Sequence, residues 1–406
     1  MITVDQARKR IVHQLPIMPS EQVSLNEALG RVLGEDLSAR RTQPPLAVSA
    51  MDGYAVNSGD ITKVPLNLKV IGSVPAGTRF SGTVTQGTAV RIFTGAPIPN
   101  GADAIVIQEN TEPIGNNVLI KETVKSGSYI RKAGLDFNSG DVLLKKGCIL
   151  NARHIGLAAA MNISWLKVRI RPRVAILATG NEIALPGDSL DEVTIVSSNN
   201  YALEGLVKAC GGLPLTLGIA EDNIDSIVQM SDSAIRARSD ILVTTGGASV
   251  GDHDLVQTAL SQNGLKVDFW KIAMRPGKPL IFGHLNSIPM LGFPGNPVSS
   301  MVCGELFLKS AIFKLLGIAN IDPLKESAIL GSDLNKNDNR EDYLRATLDI
   351  DMDGNRVATP FPVQDSSMFS RLAQADCLIV RAPAAPAASA GDKITYITLG
   401  GGLIGT

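Results

Sequence analysis

The stretch ILVTTGGASVGDHDLV, residues 241–256, joins a short apolar run to a glycine-rich turn that carries two aspartates. An apolar run of this length before glycines is typical of a buried strand, and glycine lets the backbone approach a ligand closely. Free N–H groups in such a turn suit phosphate oxygens. Asp252 and Asp254 would repel the same phosphate unless a cation lies between them. The stretch therefore predicts a strand that leads into a site for a phosphorylated ligand and a cation.

Strand and helix patterns alternate on both sides of this stretch, from Arg173 to about Leu316. Such alternation predicts a doubly wound, mostly parallel α/β sheet, which binds ligands at the carboxyl ends of its strands. Strands are predicted at Val174–Ala178, Pro214–Ile219, Ile241–Thr244, around Val267–Ile272 and at Pro289–Gly292. Helices are predicted at Asn199–Ala209, Ile224–Arg238, Asp254–Ser261 and Val298–Leu316.

The remainder of the chain has a different texture. Residues from about Arg40 to Gly147 form short Val/Ile-rich segments broken by Gly, Pro and Asn, which predicts a β-rich region. The segment after Pro323 is again β-like, and the first residues of the chain have a helical pattern. A length of 406 residues allows two to four domains.

Composition excludes several classes of protein. Hydrophobic residues make up 44% of the chain and charged residues 19%, which indicates well-formed cores. A formal net charge of −1 argues against broad binding to nucleic acid. The cysteines form no C-x-x-C pair, so neither a zinc site nor a disulfide framework is expected. We find no signal-type or membrane-spanning apolar run and expect a cytoplasmic protein.

Polar and glycine-rich loops follow four of the predicted strands. Because parallel strands end at one edge of a sheet, these loops should meet there. A lone glycine turn is usually only a turn, and an aspartate before a helix is usually a cap, but their coincidence favours a site. Three carboxylates are candidate Mg²⁺ ligands beside a phosphate: Glu182, Asp222 and Asp254. Other candidate binding residues are Thr179, Gly180, Gly246, Gly247, Ser249, Gly251, Pro294, Pro297 and Ser299.

A second group of candidates is cationic. Lys271, Arg275 and Lys278 lie in the segment FWKIAMRPGKPLIFG, residues 269–283, just before the loop of Pro294. Exposed basic side chains near a Pro-Gly turn are often merely solvated. Next to a helix N-terminus, however, they would form a pocket for an oxyanion.

Six motifs occur in an order that resembles the MoeA family of molybdopterin molybdenumtransferases, which is related to the E domain of gephyrin and of its plant counterpart. They are SAMDGYAV (49–56), TGAPIP (94–99), ATGNEI (178–183), TTGGASVG (244–251), RPGKPLIFG (275–283) and GFPGNPVS (292–299). The resemblance implies a homodimer whose cleft lies between the α/β domain of one subunit and the β-rich domain of the other. It also implies four domains: a mixed α/β N-terminal domain (1–45 with 135–170), a β-rich domain (46–134), the α/β domain (171–320) and a C-terminal β-barrel-like domain (321–406).

The implied reaction is the insertion of molybdate into adenylylated molybdopterin, with Mg²⁺-dependent release of AMP. The resemblance places the acidic residues Glu182, Asp222 and Asp254 at the adenylyl bond and adds Asp136 as a functional acidic residue. The partner subunit would contribute Asp52 and Thr94. It assigns the molybdate side to Arg275, Lys278, Ser299, Arg345 and Ser366.

Alternative functions use the same α/β domain in other ways. A molybdopterin adenylyltransferase or a nucleotide-cleaving relative would share the TTGG loop but would leave the motifs around Asp52 and Thr94 unexplained. A non-catalytic scaffold would not need the charged site residues. Expected partners are small-molecule substrates, and transient contacts with the adenylyltransferase and with cofactor-accepting enzymes are further expectations. We expect no nucleic-acid or membrane partner.

Overall fold

The computed structural model describes residues 1–246 and 255–400, and the chain forms two compact units. The larger unit comprises Met1–Glu35, Lys146–Asn151 and Lys167–Thr406. The smaller unit comprises Asp36–Lys145 and Ala152–Leu166.

A six-stranded sheet forms the centre of the larger unit. The first four strands in spatial order are parallel, the fifth runs antiparallel to the fourth, and the sixth is antiparallel to the fifth. Mostly parallel sheets bury both faces, which explains why these strands are continuous apolar runs. The spatial order is Leu213–Ala220, Arg173–Thr179, Ile241–Thr245, Ile288–Phe293, Ile281–Leu285 and Leu265–Phe269.

Helices cover both faces of this sheet. Along the strand Arg173–Thr179, Val174 and Ile176 belong to one core cluster and Ala175 and Leu177 to another, as the period of two in a strand requires. Helix Asn199–Ala209 packs into the first cluster, and helices Ile224–Arg236 and Leu255–Gln262 pack into the second. The predicted doubly wound, mostly parallel sheet is confirmed.

Two features of this unit differ from the sequence pattern. The strand Ile281–Leu285 was missed, because the short apolar run LIF at 280–282 follows the turn PGKP at 276–279 and resembles the end of a loop. The predicted helix Val298–Leu316 consists of Pro297–Cys303, a π-helical turn Gly304–Leu308 and Lys309–Leu315.

A closed barrel follows in the C-terminal part of the larger unit. Strand Glu341–Ile350 pairs with both Arg356–Pro360 and Cys377–Arg381, which closes the ring. The short strand Met274–Arg275 adds to its outside by pairing with Glu341 and Asp342. The predicted C-terminal β-barrel-like region is confirmed. The five barrel strands are Lys325–Leu330, Glu341–Ile350, Arg356–Pro360, Cys377–Arg381 and Lys393–Thr398.

The chain begins with helix Val4–His13, where Thr3 and Gln6 form a capping box. None of the helices in the described parts of the chain is long and apolar enough to cross a membrane. The remaining elements with residues in this unit are Ser20–Ser24, Leu25–Glu27, Trp165–Arg169, Ile183–Ala184, Ile195–Val196 and Phe369–Ala373.

The smaller unit is β-rich, as predicted. Its six-stranded sheet has the order Ala104–Ile107, Gly53–Val56, Thr88–Ile92, Leu66–Val74, Asn117–Ile120 and Thr111–Ile114. It also has two short antiparallel pairs, Val48–Ser49 with Ile130–Arg131 and Leu37–Ser38 with Val142–Leu144. The helix Ala152–Ala160 and the 3-10 helices Ser58–Asp60 and Gln108–Asn110 complete it. The proposed boundaries between four domains stay predictions.

Candidate functional site

The four parallel strands end at one edge of the sheet, at Thr179, Ala220, Thr245 and Phe293. The loops that follow surround a cavity of about 850 Å³. A cavity of this size accommodates a small organic ligand. Many of the residues predicted from the strand ends line it together, namely Thr179, Gly180, Glu182, Asp222, Gly246, Pro294 and Pro297.

Gly246, the residue after the strand Ile241–Thr245, packs closely against Thr179 at the end of the neighbouring strand. Its φ of +90° is a backbone conformation that only glycine adopts at low cost. A Cβ atom placed on it would lie 2.5 Å from the carbonyl oxygen of Thr179 and 3.0 Å from Thr179 Oγ1. The hydroxyl of Thr179 is buried and has no hydrogen-bond partner among the described residues. The glycine is therefore required by the packing of the loop against the neighbouring strand.

Asn181 links two loops of the cavity. Its side-chain oxygen accepts a hydrogen bond of 2.9 Å from the backbone N–H of Asp222. In return, its backbone N–H donates to the Asp222 carboxylate at 3.4 Å. Asn223, rather than Asp222, caps the helix Ile224–Arg236 by accepting from the backbone N–H of Ser226. The Asp222 carboxylate is therefore exposed and is not used as a helix cap.

The donor set of the cavity fits Mg²⁺. Glu182 and Asp222 both line it, and the Glu182 carboxylate lies within 3 Å of where a Cβ on Gly180 would be. Mg²⁺ in phosphate-transfer sites is usually held by one or two carboxylates together with substrate oxygens, so a closed protein cage is not needed. Among residues 1–246 and 255–400, no group of three or more His, Cys, Asp or Glu side chains converges.

The start of helix Pro297–Cys303 is tied to the loop that carries Ser366. The side-chain amide of Asn296 donates to Ser366 Oγ at 3.0 Å, and the backbone N–H of Val298 donates to the Ser366 carbonyl at 3.1 Å. The backbone N–H of Val298, in the first turn of this helix, is therefore already hydrogen-bonded and is not available to bind an anion. Ser299 is almost fully buried, whereas Ser367, which sequence reasoning missed, lines the cavity.

The side chain of Arg345 is hydrogen-bonded to the loop that carries Ser366. Its guanidinium is buried and donates to the side-chain oxygen of Gln364 at 3.1 Å and to the carbonyl oxygen of Asp365 at 2.7 Å. Gln364 in turn donates to the Arg345 carbonyl at 2.9 Å. Burial lowers the pKa of Arg345 from its ordinary value. The contacts of Arg345 hold the loop that carries Ser366.

Arg275 lies at a second, smaller hollow of about 270 Å³. It forms ion pairs with Asp338, at 3.4 Å, and with the buried Asp342. Hydrogen bonds from Arg340 lower the pKa of Asp338 to about 2, whereas burial raises the pKa of Asp342. These acidic partners lie more than 60 positions further along the chain, in the charged run NDNRED at 337–342.

The other two cationic candidates are placed differently. Lys271 Nζ lies 4.0 Å from the ring centroid of Trp270, in a cation–π contact. Lys278 is half-buried, its carbonyl accepts hydrogen bonds from Ile272 and Leu280, and the next residue, Pro279, lines the cavity.

The smaller unit contains the remaining predicted residues. Asp52 Oδ1 accepts hydrogen bonds from the backbone N–H of Thr94 at 2.7 Å and from Thr94 Oγ1 at 2.8 Å. These two bonds, the backbone one first, lower the pKa of Asp52. Asp136 lines a separate hollow of about 640 Å³ in the same unit.

Comparisons with known proteins agree with this architecture from end to end. Three family descriptions match in succession: the MoeA N-terminal region (domain I and II) over residues 2–162, a probable molybdopterin binding domain over 175–314 and the MoeA C-terminal region (domain IV) over 327–399. A molybdopterin molybdenumtransferase from Haemophilus influenzae is 34% identical over 97% of this chain and 98% of its own length. This chain belongs to the MoeA family.

Other members of the MoeA family support the same assignment. A molybdopterin molybdenumtransferase from a Nostoc species is 36% identical over 86% of this chain and 83% of its own length. The solved structure of a MoeA protein from Pyrococcus horikoshii superposes with a TM-score of 0.86, at 27% identity, over 98% of this chain and 100% of its own. The family that the sequence motifs indicated is therefore confirmed.

Some predicted MoeA site residues lie outside the described residues. They are Gly247, Ser249, Gly251 and Asp254. Their roles, like those of the other site residues, stay predictions.

Proposed function

We propose that this protein is a molybdopterin molybdenumtransferase that inserts molybdate into adenylylated molybdopterin and releases AMP. The observation that carries the proposal is its similarity over nearly the whole length to proteins of that name. The cavity at the carboxyl edge of the sheet supports it, because glycines and two carboxylates suit a phosphate–Mg²⁺ pair.

The residues of the cavity would have two roles, binding of the phosphates and binding of Mg²⁺. Gly180 and Gly246 let the backbone approach the phosphates, and Glu182 and Asp222 would hold Mg²⁺ together with Asp254. Bound Mg²⁺ would neutralise phosphate charge and polarise the phosphorus. Asn181 fixes the backbone beside Asp222, so that residue positions the carboxylate.

Molybdate is a tetrahedral dianion, and cationic donors should hold it. Lys278 and Arg275 are the proposed donors, with Ser366 supplied by the loop that Arg345 supports. Arg275 keeps 47% of its side chain exposed, although Asp338 and Asp342 share its charge. Binding of an anion to Arg275 would therefore compete with these carboxylates.

We also propose that the active protein is a homodimer with composite clefts. This rests on the family resemblance, in which Asp52 and Thr94 act on the cleft of the partner subunit and Asp136 is a further functional acidic residue. Mixing two strongly impaired variants, Asp52→Asn and Asp222→Asn, would then restore part of the activity in mixed dimers. Each variant alone should keep only its low residual activity, and a mixture without recovered activity would contradict shared clefts.

The decisive experiment measures AMP release from adenylylated molybdopterin with Mg²⁺, with and without molybdate. Molybdate-dependent release is expected. Asp222→Asn should slow it about 100-fold, because a ligand to the metal is weakened. Asp225→Asn is the matched control, since this exposed carboxylate in the next helix does not line the cavity.

The other outcomes separate the alternatives. Release that ignores molybdate would identify a nucleotide-cleaving enzyme, and consumption of ATP an adenylyltransferase. Tight binding of the substrate without any release would favour a scaffold.

A further inference from the structure

The guanidinium group of Arg275 is bound unequally by two carboxylates. Its Nη2 donates to the buried carboxylate of Asp342 and, at 3.3 Å, to Asn337 Oδ1. Its Nη1 donates to Asp338 at 3.4 Å and, within the described residues, has no other partner. One nitrogen of the guanidinium group is therefore held inside the protein, whereas the other has a single long contact near solvent.

The buried contact cannot be given up at low cost. The side chain of Asp342 is only 4% exposed, and its second oxygen, Oδ1, accepts no hydrogen bond in the described parts of the chain. Separation from Arg275 would leave a buried charge without its partner, which is strongly unfavourable. Asn337 is fixed as well, because its side-chain nitrogen donates to the carbonyl oxygens of Arg340 at 2.8 Å and of Ala382 at 2.9 Å.

Asp338, in contrast, can release Arg275 easily. Its carboxylate accepts a hydrogen bond of 2.8 Å from the backbone N–H of Arg340 and one of 2.6 Å from Arg340 Nη2. Both are shorter than its contact with Arg275, so Asp338 would keep a cationic partner if an anion took its place. The side chain of Asp338 is also 39% exposed, and ion pairs at such positions contribute little to stability.

We infer that Asp342 is a positioning residue that fixes Arg275 for an incoming tetrahedral dianion, and that Asp338 is a competitor which the dianion displaces from Arg275 Nη1. The inference rests on the proposed function for the identity of the dianion, molybdate, and for Arg275 as its donor. A side chain that is already oriented loses less conformational entropy when it binds a ligand, so the contact with Asp342 raises the affinity. The contact with Asp338 lowers it, because that contact must be broken first.

Charge repulsion and positioning predict different results for the two carboxylates. Repulsion alone predicts that neutralising either of them strengthens the binding of a dianion. Positioning predicts opposite signs: Asp338→Asn should bind molybdate about threefold more tightly, and Asp342→Asn about tenfold more weakly. Asp349→Asn is the matched control and should bind molybdate normally, because Asp349 is an exposed residue of the same barrel strand outside the hollow of Arg275.

The measurement is equilibrium dialysis of molybdate against the full-length protein, with circular dichroism to verify that each variant is folded. Asp342→Glu supplies a second test of positioning, because it keeps the charge but moves the carboxylate by one methylene group. Repulsion predicts no change for this variant, whereas positioning predicts binding about threefold weaker. Tighter binding by Asp342→Asn, unchanged binding by Asp342→Glu, or a failure of Asp338→Asn to tighten binding would each overturn the inference.

Double variants test whether these effects act through Arg275. In an Arg275→Gln background, Asp338→Asn and Asp342→Asn should no longer change molybdate binding. Arg340→Gln removes the other partner of Asp338 and should weaken binding about twofold, but not in the Asp338→Asn variant. Effects that persist without Arg275 would also overturn the inference.

AMP release measured in parallel reports on the proposed function separately. A protein that binds molybdate with the expected pattern but releases no AMP would contradict the proposed function and leave the inference intact. Molybdate-dependent release together with molybdate binding that ignores both carboxylates would do the reverse.

Discussion

Replacing Gly246 by alanine tests whether the loop geometry at the end of the strand Ile241–Thr245 requires glycine. Gly246 has a φ of +90°, and its missing Cβ would lie 2.5 Å from the Thr179 carbonyl oxygen. Two costs are expected: backbone strain from the positive φ and a clash with a backbone atom that cannot rotate away.

Two other glycines separate these costs. Gly354 has a φ of +83° but nothing within 4 Å of its missing Cβ, so Gly354→Ala should cost only the strain, about 1 to 2 kcal/mol. Gly295 has no positive φ, and its nearest contact would be an ordinary 3.6 Å, so Gly295→Ala should be almost neutral. Gly246→Ala adds overpacking of about 1 to 3 kcal/mol and should cost about 2 to 5 kcal/mol in total.

The assay is urea-induced unfolding of the full chain followed by circular dichroism. Shifts of the midpoint at a common slope give the differences in the free energy of unfolding. Equal destabilisation by Gly246→Ala and Gly354→Ala would refute the predicted clash with the Thr179 carbonyl oxygen. A Gly246→Ala variant as stable as the unmodified protein would also refute the predicted backbone strain at the positive φ.

Three further predictions follow from other contacts. Arg345→Ala should lower the free energy of unfolding by about 3 kcal/mol, because buried acceptors around it lose their donor, whereas Arg340→Ala should cost about 1 kcal/mol or less in the same urea titration. Since the folded state holds the pKa of Asp338 at about 2, below its ordinary 3.8, its stabilising effect is present above that ordinary value and is lost as the pH falls towards 2. Asp338→Asn should therefore show a smaller loss of stability between pH 5 and pH 3, and an unchanged slope would contradict the pairing. Asp52→Asn should likewise reduce the loss of stability at acidic pH, because the pKa of Asp52 is lowered in the folded state. Thr94→Val should reduce this loss only in part, since the backbone N–H of Thr94 still donates to Asp52.

The sequence predicted the α/β sheet well because its signals are local. Val174–Ala178 and Asn199–Ala209 are uninterrupted patterns with glycines at their ends, and the structure places them within two residues of the predicted bounds. Parallel topology then brought Glu182 and Asp222 to one cavity without any further information.

Contacts between distant segments could not be predicted in this way. The partners of Arg275 come from the barrel, and the loop of Ser366 reaches the helix start at Val298 through a backbone bond that has no sequence signature. Ser367 was missed for the same reason: nothing in the segment that contains it indicates that it lines a cavity formed by another part of the chain.

The hydrogen bonds that Ser366 accepts from Asn296 and Val298 matter for protein engineering. They make the α/β sheet and the barrel less modular than their separate folds suggest. A truncated chain that ends before the barrel would lose the acceptor for Val298 and the contribution of Ser367 to the cavity lining. A chimera that joins this sheet to another scaffold should therefore include the segment 361–367 and also Arg345, whose side chain is hydrogen-bonded to that segment.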